Sequence, residues 1–499
     1  MRKMAQTLAA LALALAAATP ISAAAAQDGL SFDEFFVDKA LRLDLYQTGD
    51  AKAETVTIRR ISEEPLWPES KAGLLPPFDY GRYVYRVYDA ASNRLIFSRG
   101  FDTMFAEYKT TSPALAGTVR VFERSVRFPL PKRPVLFVIE QRDKRSLLHP
   151  VFSQIVDPAD YHILRERTAS DDTVIEARIA GDPHDKVDLV FLAEGYAAQD
   201  RDKFKADVDR MSTALFALEP YKSRADRFNV RAVFRASAER GMDEPRQRSY
   251  KKTVLGASFN AFDLDRYMLI EDDHLMHDIA AEVPYDVIAV LVNSVRYGGG
   301  SIGLDYCVTT VDHPASLQVF VHELGHSFAY LADEYYQSKV SYNDFYPKGV
   351  EPLEPNITAL LDPARVKWAD LLAPGTAVPT EYGKDRIEAL QAQIRDRRTA
   401  AAEAVAEAKK KGAPDKEVRA IEAKAESAEG ALDKKIADIR AEYAGLIDKV
   451  GVFEGAGYAS KGLYRSQIYC LMIGNPKNEF CRVCQAAIAR MIDFTAQGR

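Results

Sequence analysis

The spacing of hydrophobic positions changes period along the chain, and these changes outline its organisation. Between Phe32 and Pro158 apolar and polar residues alternate in short runs: Thr55-Val56-Thr57-Ile58, Tyr83-Val84-Tyr85-Arg86-Val87-Tyr88 and Val119-Arg120-Val121-Phe122. Period-two alternation rich in β-branched and aromatic residues predicts strands half buried against a core. Breakers such as Leu75-Pro76-Pro77 punctuate them, so residues 27–165 read as an all-β, sandwich-like accessory domain. After a polar stretch from Arg167 to Thr173 the pattern becomes one of apolar strands and helically spaced segments. Strands are expected over Asp188 to Leu192, Phe228 to Phe234 and Tyr285 to Asn293, with a helix within Asp200 to Phe216. This order predicts an α/β domain over residues 166–499, with helices packed on a mostly parallel sheet.

A third pattern fills residues 385–449, where Ala, Glu, Lys, Arg and Asp dominate. Apolar positions recur at Ile387, Leu390 and Ile394 and at Leu432, Ile436, Ile439 and Leu446, and the breaker Gly412-Ala413-Pro414 divides the two sets. The uniform helix propensity predicts a long antiparallel helical hairpin inserted into the second domain, rather than a disordered charged linker. Globular patterning resumes at Val452-Phe453-Glu454-Gly455.

A chain of 499 residues is long enough for two to four domains. Its net charge of -6 arises from interspersed charges with no basic block, which argues against nucleic acid as a partner. Arg2 and Lys3, the apolar run Leu8 to Ala18 and the small residues Ser22 to Ala26 have the three parts of an export signal over residues 1–26. A membrane anchor would need roughly 20 apolar residues. The expectation is an exported protein, periplasmic or extracellular, with no membrane span. Oligomeric state is not encoded in any recognisable pattern. The cysteines are Cys307, Cys470, Cys481 and Cys484. An oxidising compartment favours a disulfide or buried thiols here, of open pairing, and no second Cys/His pair stands at zinc-finger spacing.

The chemistry concentrates in His322-Glu323-Leu324-Gly325-His326, within an apolar helix expected over Leu317 to Leu331 and introduced by Asp312-His313-Pro314. Two histidines at i and i+4 share a helical face and can share one Zn²⁺, while Glu323 stands beside them as a general base. A catalytic zinc usually takes a third protein ligand. Asp333 lies on the same face but about 10 Å further along a continuous helix, so the helix must break after Phe328 for it to serve. Glu454 and Glu334 are the second and third choices. Upstream, the three glycines in Tyr297 to Ile302 suit either close backbone approach or an ordinary turn. The strand Asp305 to Val311 is expected to be a sheet edge to which an extended peptide substrate adds.

These residues resemble the IgA-peptidase family of zinc metallopeptidases, which are metzincin-like. The similar stretches are Asp188 to Tyr196, ending Leu192-Ala193-Glu194-Gly195-Tyr196; Val321 to Tyr336; Phe453-Glu454-Gly455-Ala456 with Tyr464-Arg465; and Tyr469-Cys470-Leu471-Met472 followed by Phe480-Cys481-Arg482-Val483-Cys484. The resemblance implies the family's N-terminal β domain, a metzincin-like zinc peptidase domain, and a turn at Met472 beneath the metal. Ala329 and Ala332 depart from the usual metzincin pattern, the latter where the third ligand is expected, with Asp333 one position later. The implied activity is that of a secreted zinc endopeptidase acting on protein or peptide through a metal-activated water, with Glu323 as base and Tyr464 or Tyr469 as candidate donor to the oxyanion. The competing readings are a silent binding or adhesion protein on a peptidase fold, which would not need Glu323, and a zinc amidase acting on a non-protein amide such as a cell-wall crosslink.

Overall fold

The computed structural model describes residues 30–166, 170–337, 345–474 and 478–497; the expected export signal lies outside them. The described residues fall into two compact units. The first runs to Tyr330 and includes 345–347 and the residues from Ile488 on; the second comprises 331–337 and Lys348–Ala487.

The first unit begins with seven strands: β1 (Phe36–Gly49), β2 (Glu54–Glu64), β3 (Tyr83–Asp89), β4 (Leu95–Phe101), β5 (Arg120–Pro131), β6 (Val135–Arg142) and β7 (Leu148–Val156). They form two antiparallel sheets, ordered β2-β1-β5 and β4-β3-β6-β7. Leu41, Leu43, Leu45, Val126 and Phe128 from the first sheet share one core with Tyr85, Phe97 and Phe137 from the second. The alternate positions of β1 are not solvated, as simple alternation would have them, because Arg42 and Asp44 are also buried. A second layer covers that face. Arg42 pairs there with Asp44, Glu64 and Asp278, while Arg60 bonds both Asp278 oxygens at 2.8 and 3.0 Å. Arg124 pairs with Asp305, and Arg127 donates to the Tyr285 carbonyl at 2.7 Å. Cations from the β-rich region thus meet carboxylates of the following α/β region.

That region is a six-stranded mixed sheet of β8 (Thr173–Arg178), β9 (Val187–Glu194), β10 (Phe228–Phe234), β11 (Val287–Val292), β12 (Gly299–Ile302) and β13 (Tyr306–Thr310), in the order β12-β13-β11-β9-β10-β8. The three inner pairings are parallel and both outer ones antiparallel. The central strands β9, β10 and β11 are buried throughout, which explains their unbroken apolar runs. Its helices are α1 (Arg201–Leu215), α2 (Asp273–Ala280) and α3 (Ser316–Ala329). At the end of β9, buried Glu194 accepts the backbone N–H groups of Leu255 and Ala257, both at 2.9 Å, and so anchors the loop after β10.

The sheet edge differs from the sequence expectation. The residues Gly299–Ile302 form the outermost strand, and Tyr306–Thr310 lies one place inward. The outer edge is already engaged: Met268 N–H donates to Gly299 O at 3.2 Å and Asp102 N–H to Gly303 O at 3.1 Å. Those two carbonyls already accept a backbone bond from this chain, so a peptide strand added here would compete for them.

The second unit contains a small antiparallel sheet of β14 (Ile357–Thr358), β15 (Phe453–Ala456) and β16 (Ala459–Arg465), with two long helices, α4 (Lys384–Lys410) and α5 (Asp415–Glu442). Ile387, Leu390 and Ile394 pack against Leu432, Ile436 and Ile439 near the base of the pair. The helix α6 (Arg482–Thr495) begins here and ends in the first unit. Among the described residues no helix is long and apolar enough to cross a membrane.

Candidate active site

The site's framework is α3. Before it, His313 N–H donates to Ser316 Oγ and Ala315 N–H to His313 Nδ1, both at 3.1 Å, so side chains satisfy donors at the helix start. Val319, Phe320, Leu324 and Phe328 are buried, with the Phe320 ring 5.5 Å from that of Phe191 on β9. His322, Glu323 and His326 are half-buried on the other side. The two Nε2 atoms converge to 3.1 Å. Around one tetrahedral zinc, with Zn–N near 2.0–2.1 Å, two nitrogens would stand about 3.3 Å apart. The donor set and its spacing therefore fit a shared ion.

Glu323 is oriented from the edge strand. Ser301 Oγ donates to its Oε2 at 3.0 Å. A Cβ on Gly299 would stand 2.5 Å from Val319 Cγ1 and 3.0 Å from Glu323 Oε1, so β12 approaches α3 as closely as it does only because that residue has no side chain. Of the two readings of the glycine run, close approach is what the chain does. Ser301 was not singled out in the sequence; its only signal is a hydroxyl inside that run. On neighbouring β13, burial pushes the Cys307 thiol up, and the negative charge of Glu323 adds to the effect.

α3 ends at Ala329, and Tyr330 takes left-handed angles (φ 54°, ψ 37°). No helix continues from there to Asp333, so the helical rise that would carry this carboxylate 10 Å away does not apply. In the second unit, buried Asp333 accepts from Tyr458 Oη at 2.5 Å, and its carbonyl accepts from Gly457 N–H at 3.0 Å. The turn between β15 and β16 therefore holds it. Tyr458 also escaped sequence reading, its only signal being the surrounding Gly455-Ala456-Gly457. The two other candidate ligands are otherwise engaged. Glu454 pairs with Lys384 at 3.2 Å and accepts from Gly462 N–H at 3.1 Å. Glu334 is fully buried beside Cys481 and Cys484 and accepts from Asn356 at 3.0 Å. Met472 is buried in the same unit, and its carbonyl accepts from Glu334 N–H at 3.0 Å. All four cysteines are buried free thiols.

A helix presenting two convergent imidazoles and a hydrogen-bonded carboxylate, beside a mixed sheet, is the framework of a metal-dependent hydrolase. Comparison with known families makes this specific. Residues 175–492 match the family described as IgA Peptidase M64, and residues 31–153 match the Peptidase M64 N-terminus. The chain belongs to the IgA Peptidase M64 family: it is a peptidase, of metallo type by family class, and its substrate is protein. No curated protein matches it.

Proposed function

We propose that the chain is an exported zinc endopeptidase in which His322, His326 and Asp333 hold the metal and Glu323 is the general base. The observation that carries this reading is the 3.1 Å approach of the two Nε2 atoms beside a carboxylate held by Ser301. The choice of Asp333 is supported by the helix break at Tyr330 and by the other engagements of Glu454 and Glu334. The metzincin-like reading, with Met472 as an apolar floor, rests on the family pattern and on that residue's burial. Export rests on the leader-like residues 1–26.

Bound Zn²⁺ would lower the pKa of water towards roughly 7 and polarise the scissile carbonyl. Glu323 then accepts, at a carboxylate oxygen, the proton of the water that attacks the carbonyl carbon. As the carbon–nitrogen bond breaks, the same oxygen returns that proton to the leaving amine. Ser301, bonded to Oε2, fixes the carboxylate's rotamer so that the shuttling oxygen keeps its place through both transfers.

The test is Glu323→Gln. It keeps the shape and the ligands but removes the base, so metal content should be unchanged while cleavage of a mixed peptide library falls about 10²–10⁴-fold. Full activity in this variant would overturn the mechanism.

A further inference from the structure

The second unit holds a group of side chains that peptide hydrolysis does not use. Glu334, Cys470, Cys481 and Cys484 each offer one ligand atom, and the four atoms lie within 4.8 Å of one another. All four residues are buried, none more than 4 % exposed. The Cys470 and Cys484 sulfurs are 3.7 Å apart, and Glu334 Oε1 lies 3.2 Å from Cys484 Sγ and 3.8 Å from Cys481 Sγ. A tetrahedral zinc with Zn–S near 2.3 Å and Zn–O near 2.1 Å would set sulfurs about 3.8 Å apart and sulfur from oxygen about 3.6 Å.

Two further observations point to a cation. Glu334 Oε2 has no hydrogen-bond partner among the described residues, although the side chain is wholly buried. An orphaned carboxylate oxygen in that setting is costly unless something positive meets it. Hydrogen-bond donors, moreover, are aimed at the sulfurs. Cys481 stands at the start of α6 and Cys484 in its first turn, where the helix N-terminus stabilises negative charge. Backbone N–H groups point at sulfur from Cys481 to Cys470 Sγ (3.3 Å) and from Cys484 to Cys481 Sγ (3.4 Å), and Ser466 Oγ lies 3.2 Å from Cys481 Sγ. Asn356 holds Glu334 Oε1 in place. These are the outer contacts that orient the ligands of a metal site.

We propose that Glu334, Cys470, Cys481 and Cys484 form a second, closed structural zinc site. This departs from the sequence expectation of a disulfide or buried thiols, which set metal aside because no second Cys/His pair stands at zinc-finger spacing. The missing ligands come from Cys470 and from a carboxylate 147 residues before Cys481. A disulfide would use two of the three cysteines and leave both the third sulfur and Glu334 Oε2 unanswered; a cation uses all four residues. Glu334 directly follows Asp333, so a metal here ties the segment that carries Asp333 to residues 470–484.

The proposal is independent of the histidine site, and its test removes that site. The full-length chain carrying His322→Ala and His326→Ala is purified, and its zinc is counted by mass spectrometry. Its metal is then exchanged for Co²⁺. One zinc per chain and a near-ultraviolet thiolate-to-cobalt band are expected, with both lost when Cys481→Ser and Cys484→Ser are added. Should the cysteine variant fail to fold, the His322→Ala/His326→Ala chain decides alone. Absence of zinc and of the thiolate band in that chain would overturn the proposal, as would a Cys470–Cys484 disulfide found by alkylation of the purified protein.

Discussion

Gly299→Ala tests whether the edge strand positions Glu323, the proposed base. At a glycine with ordinary backbone angles, alanine usually stabilises by about 0.4–1 kcal/mol, because it restricts the unfolded chain. Gly299 is not among the glycines with positive φ, so backbone strain is not the issue. The obstacle is space. The new methyl would lie 2.5 Å from Val319 Cγ1, about 1 Å inside van der Waals contact, and 3.0 Å from Glu323 Oε1. Val319 is β-branched and sits in a helix, where essentially one rotamer is open to it, so it cannot swing aside cheaply. Either β12 or α3 must move, at the roughly 1–3 kcal/mol typical of overpacking. A displacement of Glu323 approaching 1 Å would also cost on the order of 10² in turnover. Urea denaturation should therefore show lost stability where a generic glycine-to-alanine change shows a gain, and peptide cleavage should fall. Adding Val319→Ala removes the 2.5 Å clash and leaves the 3.0 Å one, so stability should recover further than activity. Wild-type stability and turnover in Gly299→Ala would refute this account of the strand.

Ser301→Ala removes the hydrogen bond to Glu323 without touching a ligand: turnover should drop several-fold to tenfold, in line with roughly 1 kcal/mol for one such bond, at unchanged zinc content measured by mass spectrometry. Asp44→Asn strands Arg42 and Arg60 beneath the first sheet and should cost up to about 3–5 kcal/mol in denaturant midpoint analysis, less whatever Glu64 and Asp278 recover. Burial works to raise the Asp44 carboxyl, but Arg42, His274 and Arg60 outweigh it and hold it below the ordinary value of 3.8. Its stabilisation is then fully present above that pH and is lost as pH falls further, so the melting difference between wild type and Asp44→Asn should shrink in acid.

The sequence makes the local periods legible and hides the long-range consequences. The runs that became β3, β9, β10 and β11 are visible because burial on one or both faces leaves a two-fold or continuous apolar signature. His322, Glu323 and His326 are equally plain, since a helix converts an i, i+4 spacing into a shared face. The edge strand is not legible: Gly299–Ile302 has little side chain to show a period, and its pairing with Tyr306–Thr310 is what moves the latter inward. The burial of Arg42 and Asp44 leaves no local sign, because nothing near them says that Asp278 covers them from more than 230 residues away. Ser301 and Tyr458 are hidden for the same reason, each meeting its carboxylate only through the tertiary fold.

Asp333 and Glu334 are adjacent carboxylates in different surroundings, which yields a prediction that separates the two proposed metal sites. Asp333 accepts a tyrosine hydroxyl at the β15–β16 turn, whereas Glu334 is enclosed with three thiols, an asparagine amide holding one of its oxygens. Asp333→Asn keeps the side chain's size but weakens it as a ligand, so one of two zincs should be lost along with cleavage, while the thiolate-to-cobalt band persists. Glu334→Gln should weaken the cysteine-bound metal instead. Because the same residue anchors the segment bearing Asp333, some cleavage should be lost as well, through displacement and not through loss of the base. Metal content and the cobalt spectrum, read together on both variants, decide the matter. If Asp333→Asn abolished the thiolate band, or Glu334→Gln left the cysteine-bound metal as tightly held as in the wild type, this division of labour would be wrong. A carboxylate oxygen replaced by an amide at a zinc shell costs direct ligation, and no rearrangement of Asn356 supplies a substitute anion.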